Sequence, residues 1–239
     1  MKYYCITNSG NKKIVGTHSQ VQQAIYHCDI WDDDKFIDRV DFVKTDFEPI
    51  TANAILMKKA KLTDLLSADI IGFSSKLLMS GKLKSILENN RKTGLQFCKS
   101  PVVYKNEMIE DYWTLNLYEV NSEFIDFNKS EIFLMDGLFD KIKKLPITNI
   151  EEYEKEKMQI DKIGYPSNIY IERFVLNDNL PEDFFVLRQV EGGVKYMVSE
   201  KLKQKIEEAG CTGIEFMPSE LKLTEWLHGG EREKIYGKA

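Results

Sequence analysis

Two stretches decide how this chain folds: SGKLKSILENNRKTGLQF (Ser80 to Phe97) and SEKLKQKIEEAGCTGIEF (Ser199 to Phe216). They align without gaps at an offset of 119 residues. Eight of the eighteen positions are identical, where chance gives roughly one. Ser80 and Ser199 each stand where a side-chain oxygen can cap a helix. Leu83, Ile86 and Leu87 form one apolar stripe, and Leu202, Ile206 and Ala209 form the other. A Thr-Gly pair closes each unit, since glycine tolerates the left-handed backbone at a helix stop. Leu95 and Phe97, or Ile214 and Phe216, then alternate as a short strand, bounded by Pro101 and Pro218. Each unit therefore reads as a capped helix feeding a strand. Neither can bury its apolar face alone, so the two are expected to pack as parts of two related lobes, or to complete one sheet.

Outward from these units, the middle of the chain is rich in strand patterns. Tyr112 to Leu117 alternates, placing Trp113, Leu115 and Leu117 on one face. Phe124 to Phe127 and Ile132 to Met135 continue the pattern, with a turn at Asp136-Gly137. Ile169 to Phe174 is a further strand. Phe184 to Val190, Glu191-Gly192-Gly193 and Val194 to Val198 read as a hairpin. Glu151 to Met158 reads as a short charged helix, with Glu151 and Lys155 at favourable spacing. Near the start, Tyr3 to Thr7 and Lys13 to Val15 are expected to pair as a hairpin. Ser19 to His27 and Lys58 to Leu66 carry helical apolar spacings. The polar tail from Gly229 is expected to fray. The fold class is thus α+β, with mixed or mainly antiparallel sheets and packed helices. Residues 1–49 form an N-terminal hairpin, short helix and acidic segment. Residues 50–239 form the main domain, with possible lobes at 50–145 and 146–239.

The chain has 239 residues, is 43% hydrophobic and 30% charged, and carries a formal net charge of −5. Disorder, a collagen repeat and a disulfide scaffold are excluded by that composition. A general nucleic-acid binder needs a basic face, which an acidic balance disfavours. The opening MKYYCITNSGNKKIVG has only a four-residue apolar stretch before Asn8. A secretory signal needs about 7–15 apolar residues, and a membrane span about 18. Cys5, Cys28, Cys98 and Cys211 are widely spaced, as expected of reduced thiols in a bacterial-type cytoplasm.

Catalytic patterns fail one after another. His27-Cys28-Asp29 are sequence neighbours whose side chains do not converge as zinc ligands do. Gly72-Phe73-Ser74-Ser75-Lys76 lacks the second glycine of a nucleophile elbow. Gly10 to Gly16 has the wrong spacing for a phosphate loop, and no G-x-G-x-x-G exists. No metal or cofactor is expected. The alternative reading is an enzyme of unknown reaction, built from carboxylates with His27 or His228. A general protein-interaction module is another.

One segment departs from the rest in charge. Between Asp29 and Glu48 lie eight acids (Asp29, Asp32, Asp33, Asp34, Asp38, Asp41, Asp46 and Glu48) against Lys35, Arg39 and Lys44. Its net −5 equals that of the whole chain. An EF-hand is excluded because the central glycine and distal glutamate are missing. Trp31, Phe36, Phe42 and Phe47 are interleaved. The competing readings are a solvated loop and a docking surface. In the second, Asp32, Asp33, Asp34, Asp38 and Asp41 steer a cationic partner, with Trp31 and Phe36 as anchors.

The second repeat, MVSEKLKQKIEEAGCTGIEFMP, resembles the closing signature of the myxobacterial-type immunity family of polymorphic toxin systems. The residues that carry it are Val198, Ser199, Glu200, Leu202, Lys203, Thr212, Gly213, Ile214 and Phe216. Lys82 to Phe97 is similar to the family's upstream helix. Trp113 to Asn116, followed by Asp126 and Ser130, resembles its middle block, and Phe184 to Leu187 its last strand before the final helix. The similarity covers roughly Ile50 to Glu220. It implies a non-enzymatic cytoplasmic protein that binds and neutralises a cognate antibacterial toxin by stoichiometric occlusion. The toxin is expected to have a basic surface and to be encoded by the adjacent gene. Neither nucleic acid nor membrane is an expected partner.

Overall fold

The computed structural model describes residues 1–137 and 140–238. In chain order its strands and helices are β1 Tyr3–Asn8, α1 Lys12–Val15, β2 Val21–Ile25, β3 Asn53–Leu56, β4 Leu65–Leu66, β5 Leu77–Ser80 and α2 Gly81–Asn90. There follow β6 Leu95–Lys99, β7 Val102–Tyr104, β8 Glu107–Ile109, β9 Tyr112–Leu117, β10 Glu131–Asp136, β11 Asp140–Lys144 and α3 Ile150–Ile163. The rest are β12 Ser167–Arg173, β13 Phe184–Val190, β14 Gly193–Ser199, α4 Glu200–Glu208, β15 Ile214–Pro218, α5 Leu223–Leu227 and α6 Glu231–Tyr236.

The strands form three sheets, making the fold α+β. A seven-stranded sheet runs β11-β10-β12-β13-β14-β1-β15. Two four-stranded sheets run β2-β3-β7-β8 and β4-β5-β9-β6. All pairs are antiparallel except β12 with β13 and β3 with β7.

The repeat is real in three dimensions and extends beyond its detected ends. In the first unit, β5 and β6 flank β9; in the second, β14 and β15 flank β1. Ser80 and Ser199 cap their helices by accepting from Leu83 N–H and Leu202 N–H. Each hydroxyl also donates to an aspartate, Asp64 at 2.7 Å and Asp183 at 2.5 Å. Those aspartates are again 119 residues apart and precede β4 and β13. Tyr112 and Tyr3 start the two central strands, and each donates its hydroxyl to a backbone carbonyl just before the aspartate, Thr63 or Glu182. Lys84 lies over Phe97 and Trp113, as Lys203 lies over Phe216 and Tyr4. The central strands are placed unexpectedly. Along the chain β9 follows the first unit, whereas β1 precedes both units yet completes the second.

The units share one apolar core. Leu83, Leu87, Leu115 and Leu117 of the first meet Phe184, Val186, Leu202 and Ile206 of the second. A second core lies on the other face of the large sheet, under α3, where Tyr153 and Ile160 pack on Ile169 and Ile171. The third, around Phe36, Ala54, Leu56 and Val102, fills the inner face of the β2-β3-β7-β8 sheet.

Several local expectations fail for traceable reasons. Lys12–Val15 is a helical turn, not a return strand, because the Asn11 side chain accepts from Lys13 N–H. Ser19 to His27 is a strand, not a helix: Val21–Ile25 pairs with β3, around a bulge between Val21 and Gln23. Lys58 to Leu66 is a turn plus β4, and Leu62 is exposed. There the Asp64 carboxylate serves Ser80 instead of a helix face. Phe124 ends a 3-10 turn, and only Ile125 makes a bridge, to Leu176. Ala209 is exposed, so the second helix has a two-residue stripe. The charged helix is longer than expected, and its i,i+4 ion pair is Lys157–Asp161 at 2.7 Å. The tail does not fray through its described length. Tyr236 accepts the Phe216 N–H at 2.8 Å, and Arg232 makes a buried ion pair with Glu215 at 2.6 Å.

Candidate partner interface

The acidic segment is an ordered strap with two halves. Its second half is fastened across both units. Lys76 Nζ donates to the Val40 carbonyl at 2.8 Å and to Asn116 Oδ1 at 3.2 Å. Asn116 Nδ2 donates to the Val43 carbonyl at 2.9 Å. The Gln96 amide clamps Thr45, accepting from its N–H at 3.1 Å and donating to its carbonyl at 2.9 Å. Phe42 lies against Lys76 and under the Arg188 guanidinium, 4.4 Å from its ring centroid. Burial around Lys76 pushes its pKa down to about 8, against the pull of Asp38 and Asp41.

The first half is the exposed tip. Asp29 Oδ1 accepts Trp31 N–H, and Asp33 Oδ1 accepts Lys35 N–H, both at 2.9 Å. These side chains hold the backbone in tight turns. Phe36 bridges to Ile50 and anchors the tip to the core. Trp31 is 69% exposed, and Asp32 is exposed beside it.

The seven residues singled out in the sequence therefore have different surroundings. Trp31, Asp32, Asp33 and Asp34 are brought together at the tip. Asp34 is ion-paired to Arg39 at 2.9 Å, with its side chain largely in solvent. Asp38 points inward and accepts Gly72 N–H at 2.6 Å. Burial raises its pKa, opposed by that bond, by Ser74 and by the Lys76 charge. Asp41 pairs with Arg188 at 2.9 Å, so part of its charge is spent on the second unit. Phe36 is 1% exposed and faces the core, away from any partner. The clamp residues Lys76, Gln96, Asn116 and Arg188 escaped the sequence reading. Each is a polar residue in or beside an apolar strand pattern, which was the available signal.

A cavity of about 520 Å³ flanks the strap, lined by Asp41, Tyr153, Lys157, Asp161, Arg188 and Gln189. Its acids and bases are interspersed. The histidines weighed for catalysis lie apart: His27 contacts Asn53, and exposed His228 ends α5. Among the described residues, no three His, Cys, Asp or Glu side chains are grouped to hold a metal ion. No described helix is long and apolar enough to cross a membrane.

The sequence model of an immunity protein family, Imm11, matches residues 19–220. That span takes in the acidic strap, which the resemblance beginning at Ile50 left out. No curated protein matches the chain.

Proposed function

The chain belongs to the Imm11 immunity protein family, and we propose that it protects its cell by binding a cognate antibacterial toxin one-to-one and occluding it. Family membership over residues 19–220 carries this reading. The tip at Asp29 to Asp34 supports its finer part. Exposed carboxylates on a backbone already held in turns lose little freedom on binding. They attract a basic toxin surface and speed encounter beyond the neutral range of ~10⁵–10⁶ M⁻¹s⁻¹. Exposed Trp31 supplies an aromatic anchor next to those acids in the chain. The toxin is a protein of an interbacterial polymorphic system, encoded by the adjacent gene, and this chain works in the cytoplasm. The immunity protein blocks it without chemistry of its own.

Co-expression tests this proposal. Cells producing the neighbouring toxin should be rescued by the intact chain, and the two proteins should co-purify. Continued killing with both proteins present at equal levels contradicts it.

A further inference from the structure

The β2-β3-β7-β8 sheet carries opposite charge at its two ends. The Ile25 end of β2 leads into the acidic tip. The other end, where Val21 pairs with Leu56, is surrounded by lysines. Three turns meet there. The α1 turn brings Lys12 and Lys13, the turn after β3 brings Lys58, Lys59 and Lys61, and the β7-β8 turn brings Lys105. Their contacts are direct: Lys61 Nζ donates to the Lys13 carbonyl at 2.7 Å, and Tyr104 Oη to the Ala60 carbonyl at 2.9 Å. Lys58 and Lys105 line one shallow concavity with Ile55 and Val103. All six lysines are exposed. Among the described residues, none has a carboxylate within 4.0 Å. Against these six cations the same end carries the exposed carboxylate of Glu107, across the β7-β8 turn from Tyr104, so in a chain of net charge −5 the local excess stays strongly positive.

Apolar side chains stand among them. Ile14, Met57, Leu62 and Met108 are each between 37% and 47% exposed. Cations mixed with exposed aliphatic and thioether groups match the interface of an anionic bilayer. Headgroups attract the ammonium groups, and the apolar tips enter the boundary below them. A single-stranded nucleic acid is a poorer fit, since base stacking needs exposed aromatic rings. The aromatic ring here, Tyr104, is half-buried and has Lys105 over its face.

We propose that this lysine end is a docking surface for an anionic phospholipid bilayer, and that the chain associates with it peripherally. The acidic tip, at the far end of the sheet and repelled by the same lipids, then faces away from the bilayer. The value of that orientation rests on the toxin-binding reading. Lipid binding itself does not, so either can fail alone.

The test is co-sedimentation of the full chain with vesicles of phosphatidylcholine, or of phosphatidylcholine with one-quarter phosphatidylglycerol. Binding is expected only to the anionic vesicles and should be released by high salt. The triple variant Lys58→Ala, Lys59→Ala, Lys105→Ala removes side chains that make no hydrogen bond among the described residues, so it should keep the wild-type melting temperature. It should lose roughly fivefold in partition per lysine, from about 1 kcal/mol each. Equal pelleting with both vesicle types overturns the proposal, as does a triple variant that binds like wild type. Binding to duplex DNA without binding to anionic vesicles overturns it too. Should the triple variant misfold, the lipid and salt dependence of the wild type decides alone.

Discussion

Gln96 and Glu215 hold the same place in the two repeated units, on the outer strand beside the central one. Each fastens a segment added outside the repeat, but by different chemistry. Gln96 clamps Thr45 of the acidic strap with neutral hydrogen bonds. Glu215 is buried and takes two bonds from the Arg232 guanidinium at 2.6 Å, with Ser9 Oγ and Gly10 N–H completing its shell at 2.9 Å. A neutral clamp can open at moderate cost. A buried ion pair cannot lose one partner without stranding a charge. The second unit is therefore locked by the C-terminal helix. At the equivalent position the first unit holds its strap by the softer Gln96 clamp, beside the Lys76 and Arg188 contacts, and that strap bears the exposed acids.

The contrast predicts a ranked series of losses in urea unfolding. Arg232→Met strands Glu215 and should cost about 3–5 kcal/mol. Gln96→Leu removes the Thr45 clamp and should cost about 1–3 kcal/mol. It should also make residues 40–46 exchange their amide hydrogens faster. Equal costs at the two positions would erase the distinction between the edges. Ser80→Ala and Ser199→Ala test what the units share. Each removes a helix cap together with the hydroxyl's bond to Asp64 or Asp183, so each should cost about 1–2 kcal/mol, and the two values should be similar. A large disparity would mean that the matching geometry hides unequal roles.

A separate pH dependence belongs to Lys76 of the first unit. Lys76 has a folded pKa of about 8, below the ordinary 10.5. Below pH 8 it is charged in both states, and its desolvation cost is fully present. Between pH 8 and 10.5 the unfolded chain binds more protons, so stability rises with pH. Wild type should therefore gain on a Lys76→Met variant as pH climbs through that window. A constant gap between the two places Lys76 outside this account.

The repeat was legible because its helices use the full amphipathic code: a capping serine, a leucine stripe and a closing Thr-Gly. The alternating β9 and the β13-β14 hairpin were legible by their period. Short strands were not. β2 and β4 have partners distant in sequence, so local apolar spacing imitated a helix. The extension of the repeat to Asp64 and Asp183 was present as TDLL against EDFF, each an acid followed by two apolar residues. Nothing local revealed that Tyr3 and Tyr112 are equivalent, because their strands stand in different order relative to their units. In the acidic segment, charge was readable but orientation was not. Asp38 and Phe36 turn inward because Gly72 and the third core receive them, and the sequence does not pair those partners.

Whether this chain acts by occupancy decides between an inhibitor and an enzyme. The direct measurement is titration of the purified neighbouring toxin with the purified chain, following residual toxin activity against molar ratio. Occlusion predicts a linear fall ending at one equivalent, with activity recovered when the complex is dissociated. Inactivation completed far below one equivalent, or left permanent after separation, contradicts it.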